Sequence, residues 1–127
     1  MRKPEDIESF LIESGYQFEH LSDQMWRVSD EADDLDNILV FATGNVLNFQ
    51  VGLFTLPESP SVALLHRMLE LNATSLIYGA FAIDKDKVIL IGALEMDNLD
   101  RNELQAMIES MAMAIREHHE ELTALIG

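Results

Sequence analysis

Hydrophobic positions recur along the chain in short runs whose spacing changes from run to run, and each change of spacing marks a predicted element. Ile7, Phe10 and Leu11 repeat at helical spacing within residues 4–14. Pro4 sits where a first helical turn tolerates it, and Gly15 supplies a stop. Met25, Trp26 and Val28 predict a short strand, and the acidic run 30–34 that follows reads as a solvated turn. Residues 38–42 are apolar at successive positions, as in a strand at least partly covered on both faces. Residues 46–54 alternate instead: Leu47, Phe49, Val51 and Leu53 share one face, while Asn48, Gln50 and Gly52 share the other with Val46 and Phe54. Thr43-Gly44-Asn45 between these two strands can supply the positive φ of a tight hairpin.

After the Pro57-Glu58-Ser59-Pro60 break, Ser61 is placed to cap a helix running to about Asn72. Val62, Leu65, Met68 and Leu69 form its main stripe, and Leu64 and Leu71 widen the apolar arc beyond what one core face needs. Residues 77–84 and 88–96 predict a second hairpin around Lys85-Asp86-Lys87. Asp100 caps the last helix with Glu103 in the capping-box position, and Leu104, Met107, Ile108, Met111, Ile115, Leu122 and Leu125 carry its apolar stripe. The resulting order is α-β-β-β-α-β-β-α. It predicts an α+β fold with a five-stranded antiparallel sheet and helices mainly on one face. With no repeat, linker or low-complexity tract, residues 1–127 read as one domain.

Charge and composition narrow the function classes. Twenty-three acidic against eight basic side chains give a net charge of -15, which phosphate backbones and anionic lipid surfaces repel. Nucleic-acid and membrane partners are therefore not expected. The chain has no cysteine, so disulfides, thiolate catalysis and cysteine-held metals are excluded. No apolar run near the start has signal-peptide length, and a cytoplasmic address is expected.

The residues that could carry chemistry do not assemble a set. His118 and His119 are adjacent on a helix and point about 100° apart, so they do not converge on one ion, and they read as part of a solvated polar face. His20 and His66 stand alone in sequence. The acidic run has Leu35 and Phe41 where a calcium loop counted from Asp30 needs glycine and glutamate. No phosphate loop or nucleophile elbow is present, and Gly79 and Gly92 fall inside predicted strands, where they would admit a close neighbour. A non-enzyme with no cofactor and no metal is expected.

From Leu64 onward the chain resembles the type III secretion chaperone-like superfamily, specifically its YbjN-like and CesT-like (class I secretion chaperone) families. The resemblance rests on 64–72, LLHRMLELN, on Tyr78-Gly79-Ala80-Phe81-Ala82-Ile83-Asp84, on Val88-Ile89-Leu90-Ile91, on Leu94-Glu95-Met96 and on the long last helix. A helix ending in Leu-x-x-Asn, followed by a Gly-Ala-Phe-Ala-Ile-Asp strand and a hairpin, is the shared skeleton. The resemblance implies a small acidic cytoplasmic homodimer that binds another polypeptide without ATP. Its YbjN-like branch is described in regulatory or stress-response terms.

The residues themselves suggest where such binding would occur. Trp26, Val46, Phe54 and Met113 are the expected partner-binding positions, with a core-rim role the alternative for Trp26. Leu64, Met68 and Leu71 are the expected dimer interface, or else they cover the sheet within one subunit. Unpaired sheet edges offer a further landing place for a partner strand. A small-molecule-responsive regulatory domain, with Met107, Met111 and Phe81 lining an apolar pocket, is the second reading. A hydrolase built on His66 or His20 is a third.

Overall fold

A computed structural model describes residues 2–76 and 78–126. In chain order the elements are α1 (Pro4–Glu13), β1 (Gln17–Ser22), β2 (Met25–Asp30), a 3-10 turn (Glu31–Asp33), β3 (Leu35–Thr43) and β4 (Val46–Thr55). Then follow α2 (Val62–Thr74), β5 (Ala80–Asp84), β6 (Lys87–Glu95) and α3 (Arg101–Ala124). The strands form one six-stranded sheet in the order β1-β2-β3-β4-β6-β5, antiparallel throughout. This is the expected α+β architecture with one strand more than the sequence predicted. The added strand is β1, an edge strand whose residues are exposed apart from Phe18, so its sequence carries no alternation of apolar and polar positions. Of the expected arm 77–84, Ile77 lies outside the described residues and the strand begins at Ala80.

Several local expectations hold. Gly44 and Asn45 turn the β3–β4 hairpin with Gly44 at φ +59°, and Asp100 and Glu103 form the capping box of α3. The helices pack on the face bearing Leu47, Phe49 and Val51 on β4, all buried, with Val40, Leu90 and Val88 opposite or beside them. Gly92 lies on that face, where an added Cβ would come within 2.5 Å of Met107 Sδ on α3. Gly79, at φ +85° just before β5, would drive a Cβ into the Ile91 carbonyl. Both glycines therefore permit a close approach, as their placement suggested.

Other expectations are corrected. Phe54 does not share the face of Val46. The register slips between Gly52 and Phe54, so Phe54 pairs with buried Val88 and meets His119 of α3 edge-to-face, ring centroids 6.0 Å apart. A bulge of one residue turns the following side chain to the other face, which strict alternation cannot anticipate.

On α2 the phase is rotated. Leu64, Met68 and Leu71 are buried within the chain, so they are unavailable as a dimer interface, whereas Val62 is 81% and Leu69 70% exposed. Positions 64, 68 and 71 follow i, i+4, i+7, and burying each such side chain stabilises by about 1.5–3 kcal/mol, which sets the helix rotation.

Trp26 is fully buried on β2, one strand in from the edge, and presents nothing to a partner. Met107 and Met111 likewise belong to the continuous core, as does Phe81, which also borders a groove between α2 and β5.

Candidate functional site

The two ends of the sheet are finished differently. At the β5 end, α2 lies against the edge strand and leaves an apolar groove between them, lined by Leu65, Leu69, Ala82 and Ile83. Val62, Leu65 and Leu69 fall at i, i+3, i+7 along the outer side of α2, and Ile83 beside them is 46% exposed. Exposed large side chains grouped in this way mark a contact surface more strongly than the same residues scattered singly.

The outward backbone of β5 is not wholly free. The side-chain amide of Asn72, at the end of α2, donates to the Phe81 carbonyl at 3.0 Å, and its oxygen accepts from the Phe81 N–H at 2.7 Å. This amide occupies the place that a neighbouring strand's peptide group would take. It gives the Leu69-x-x-Asn72 ending of the helix a physical purpose, and it restricts strand addition at this edge to positions beyond Phe81. The sequence carried this residue as part of a pattern, but its role needs the sheet to be seen.

The sheet face opposite the helices carries Leu39 and Phe41 of β3, Val46 of β4 and Ile91 of β6, in register with Asn48 and Gln50. Val46 and Ile91 are each 38% exposed, so Val46 stands where the alternation placed it. Met113, 45% exposed on α3, also lies outside the core stripe as expected, in a depression shared with Leu76, Tyr78 and Ala114.

At the β1 end the side chains are satisfied among themselves. Trp26 Nε1 donates to Glu8 Oε2 of α1 at 2.8 Å, and His20 Nδ1 lies 3.2 Å from the same oxygen. The His20 ring stacks on Trp26 with centroids 5.5 Å apart. This trio ties α1 to the β1–β2 hairpin. His66 pairs with Glu70 on the exposed side of α2 at 3.3 Å. His118 and His119 are not solvated as expected: their rings turn to different neighbours, Phe81 and Phe54. The Nδ1 of His118 lies 3.7 Å from Glu121 and its Nε2 lies 3.6 Å from Glu117.

The acidic run is also more structured than a solvated turn. Asp30 is only 6% exposed, and burial, followed by the neighbouring Asp33, raises its carboxyl above the ordinary value. Asp33 is held below that value by its hydrogen bond with Asp30 and by Arg116 of α3, whose Nη1 donates to it at 3.1 Å. Burial and the charges of Asp30, Glu109 and Asp33 push the Tyr16 hydroxyl well above its usual range. The run is thus a joint between the sheet and α3. Among the described residues no group of three or more acidic or histidine side chains is arranged to hold a metal ion, and no helix is long and apolar enough to cross a membrane.

Polar contacts close the helical layer. Ser61 Oγ accepts from the Leu64 N–H at 3.1 Å and donates to the Leu125 carbonyl at 2.7 Å, joining the start of α2 to the end of α3. Arg67 of α2 pairs with Glu121 of α3. That contact holds the Glu121 carboxyl below its ordinary value and raises the arginine further.

The same arrangement of sheet and helices occurs in known proteins. A chain of the heterodimeric ExoU–SpcU complex from the type III secretion system of Pseudomonas aeruginosa superposes with a TM-score of 0.70 at 19% identity, over 94% of this chain and 97% of that one. YbjN from E. coli superposes with a TM-score of 0.68 at 16% identity, over 94% and 93%. The Yersinia pestis type III secretion chaperone SycH, solved with a stable fragment of YscM2, gives 0.61 at 18% identity, over 96% and 98%. No curated protein matches in sequence. The CesT_Tir_1 family model, in contrast, matches residues 1–126, which takes in every element of the fold, and the chain belongs to that family.

Proposed function

We propose that this protein is a non-catalytic, chaperone-like binder of another polypeptide that works as a cytoplasmic homodimer. The observation that carries the reading is the apolar end of the molecule, where Val62, Leu69 and Ile83 stand exposed beside the β5 edge on a chain of charge -15. The outer stripe of α2 is the dimer face: it takes over the role that the sequence gave to the inner stripe of the same helix. The open sheet face with Val46 and Ile91, together with Met113 on α3, serves the client. Strong negative charge keeps such a surface soluble and favours basic clients. The ExoU–SpcU and SycH–YscM2 assemblies, in which a chain of this fold is solved with a second protein, support the same reading.

The test has two arms. Sedimentation equilibrium at micromolar concentration should give twice the chain mass, and the Val62→Asp/Leu69→Asp variant should give the monomer mass with its fold intact. Tagged protein drawn from its native lysate should carry a stoichiometric polypeptide. A monomer at all concentrations removes the dimer, and recovery of a metabolite with no polypeptide at any salt concentration removes the binding role.

A further inference from the structure

The depression on α3 has a carboxylate at each end. Glu109, Met113 and Glu117 fall at i, i+4, i+8, so the two carboxylates bracket the exposed thioether along one side of the helix. All three line the same groove, whose opposite wall is formed by Leu76 and Tyr78 of the α2–β5 connection. Glu109 accepts a hydrogen bond from Gln105 at 2.9 Å, and Glu117 meets only His118, at 3.6 Å, so among the described residues neither carboxylate is paired with a lysine or arginine. Arg116, next along the helix, is turned to Asp33.

We propose that this groove takes an extended segment of a client in which an apolar side chain is flanked, two residues away on each side, by lysine or arginine. The inference rests on the polypeptide-binding reading above and specifies the client's chemistry. Spacing carries it. Eight residues of helix span about 12 Å. Four residues of extended chain span about 13 Å, and positions i, i+2 and i+4 of such a chain point to one side. One apolar and two basic side chains at those positions therefore meet Met113, Glu109 and Glu117 together. The groove is shallow and its carboxylates are exposed, so the charges select register and sequence more than they add affinity.

Methyl NMR titration of the full chain reads the site directly. The probe is a heptapeptide with leucine at its centre and lysines two positions to either side, the remaining positions being serine or glycine. The Met113 and Ala114 methyls should shift, and moving the lysines next to the leucine should weaken binding about fivefold or more, because adjacent side chains then face away. Met113→Ser should remove the response, and Glu109→Lys/Glu117→Lys should transfer the preference to a glutamate-flanked peptide. Both variants alter exposed positions, and unchanged methyl signals from Leu47 and Leu90 verify the fold. Equal response to every peptide, or shifts confined to another surface, overturns the inference. If no peptide shifts Met113 while the tagged protein still retains its polypeptide, the groove assignment fails and the binding function stands. If the polypeptide is absent as well, both fail.

Discussion

The β1 and β5 ends of this sheet face the same physical problem, an edge strand with unpaired peptide groups, and they solve it in opposite ways. The β1 strand is nearly all polar outside, with Glu19 paired across to Arg27 at 3.3 Å and a Glu8–His20–Trp26 cluster binding α1 over it. Charge on an edge discourages a further strand from adding. The β5 strand has Ile83 exposed and α2 beside it with Leu69 outward, and Asn72 closes part of its backbone. Among the described residues, apolar exposure at the first end is limited to Leu21 of β1 and Ile12 of α1, while the other groups Val62, Leu69 and Ile83 beside its edge strand. The two ends of one antiparallel sheet thus differ through side chains alone, the β1 end closed by its own polar contacts and the β5 end, the contact end of the proposal above, left apolar.

That contrast is open to direct attack. The largest effect is expected at the closed end. Trp26→Ala removes the most voluminous buried side chain and leaves Glu8 without its indole donor, and it should cost about 3–5 kcal/mol in urea unfolding. Trp26→Phe keeps most of the volume and should cost clearly less. Were Trp26→Ala nearly neutral, the claim that this end is a consolidated part of the core would fall.

Next is the contact end. Asn72→Ala leaves the Phe81 N–H and carbonyl without partners and should destabilise by about 1–3 kcal/mol, with faster amide exchange at Phe81 than elsewhere in β5. If exchange at Phe81 is unchanged, water or another group satisfies the edge, and Asn72 is not what closes it.

The closed end was the less legible of the two in the sequence. The strand β1 reads QFEHLS, with one apolar residue turned inward, and an edge strand covered on one side by a short helix needs little more. Trp26 was open to reading as a contact anchor, since tryptophan is enriched at interfaces, or as a core-rim side chain, and nothing local shows that Glu8 and His20 come from elements on either side to enclose it. The helices and the β3–β4 and β5–β6 hairpins were legible because their signals are local: Gly44, the Ser61 and Asp100 caps, and a long apolar period in α3. On α2 both apolar stripes were visible, yet with apolar residues at 62, 64, 65, 68, 69 and 71 periodicity alone does not say which is buried. The bulge before Phe54 inserts Leu53 into β4 opposite no residue of β6 and so reversed one side chain; Gly52 beside it was the one local mark that a bulge could occur there.

A smaller effect should appear on acidification, at the joint between α2 and α3. Arg67 holds the Glu121 carboxyl below its ordinary value of 4.5. A depressed carboxylate contributes its stabilisation in full above the unfolded-state value and loses it as pH falls through the lower folded value. Thermal unfolding followed from pH 6 to pH 3 should therefore show a loss below about pH 4.5 that is reduced in Arg67→Gln, because the variant has already lost the pairing. Parallel curves for the two proteins would mean that other carboxylates, such as Asp33 with Arg116, carry the acid sensitivity.

The smallest effect on stability concerns Glu19 and Arg27, and it is also the one that best separates the two ends. Both side chains are about half exposed, and a pair of this kind contributes about 0.2–1 kcal/mol at most, so Glu19→Val/Arg27→Val should leave the urea midpoint almost unchanged. What should change is self-association, since the substitution turns a charged edge into one resembling β5. Light scattering of the variant at high concentration should show growth beyond the wild-type mass, and it should do so equally in the Val62→Asp/Leu69→Asp background, where the other end has been silenced. Growth confined to the background with an intact α2 stripe would mean that the β5 end drives all association, and that the Glu19–Arg27 charges are incidental to the silence of the β1 edge.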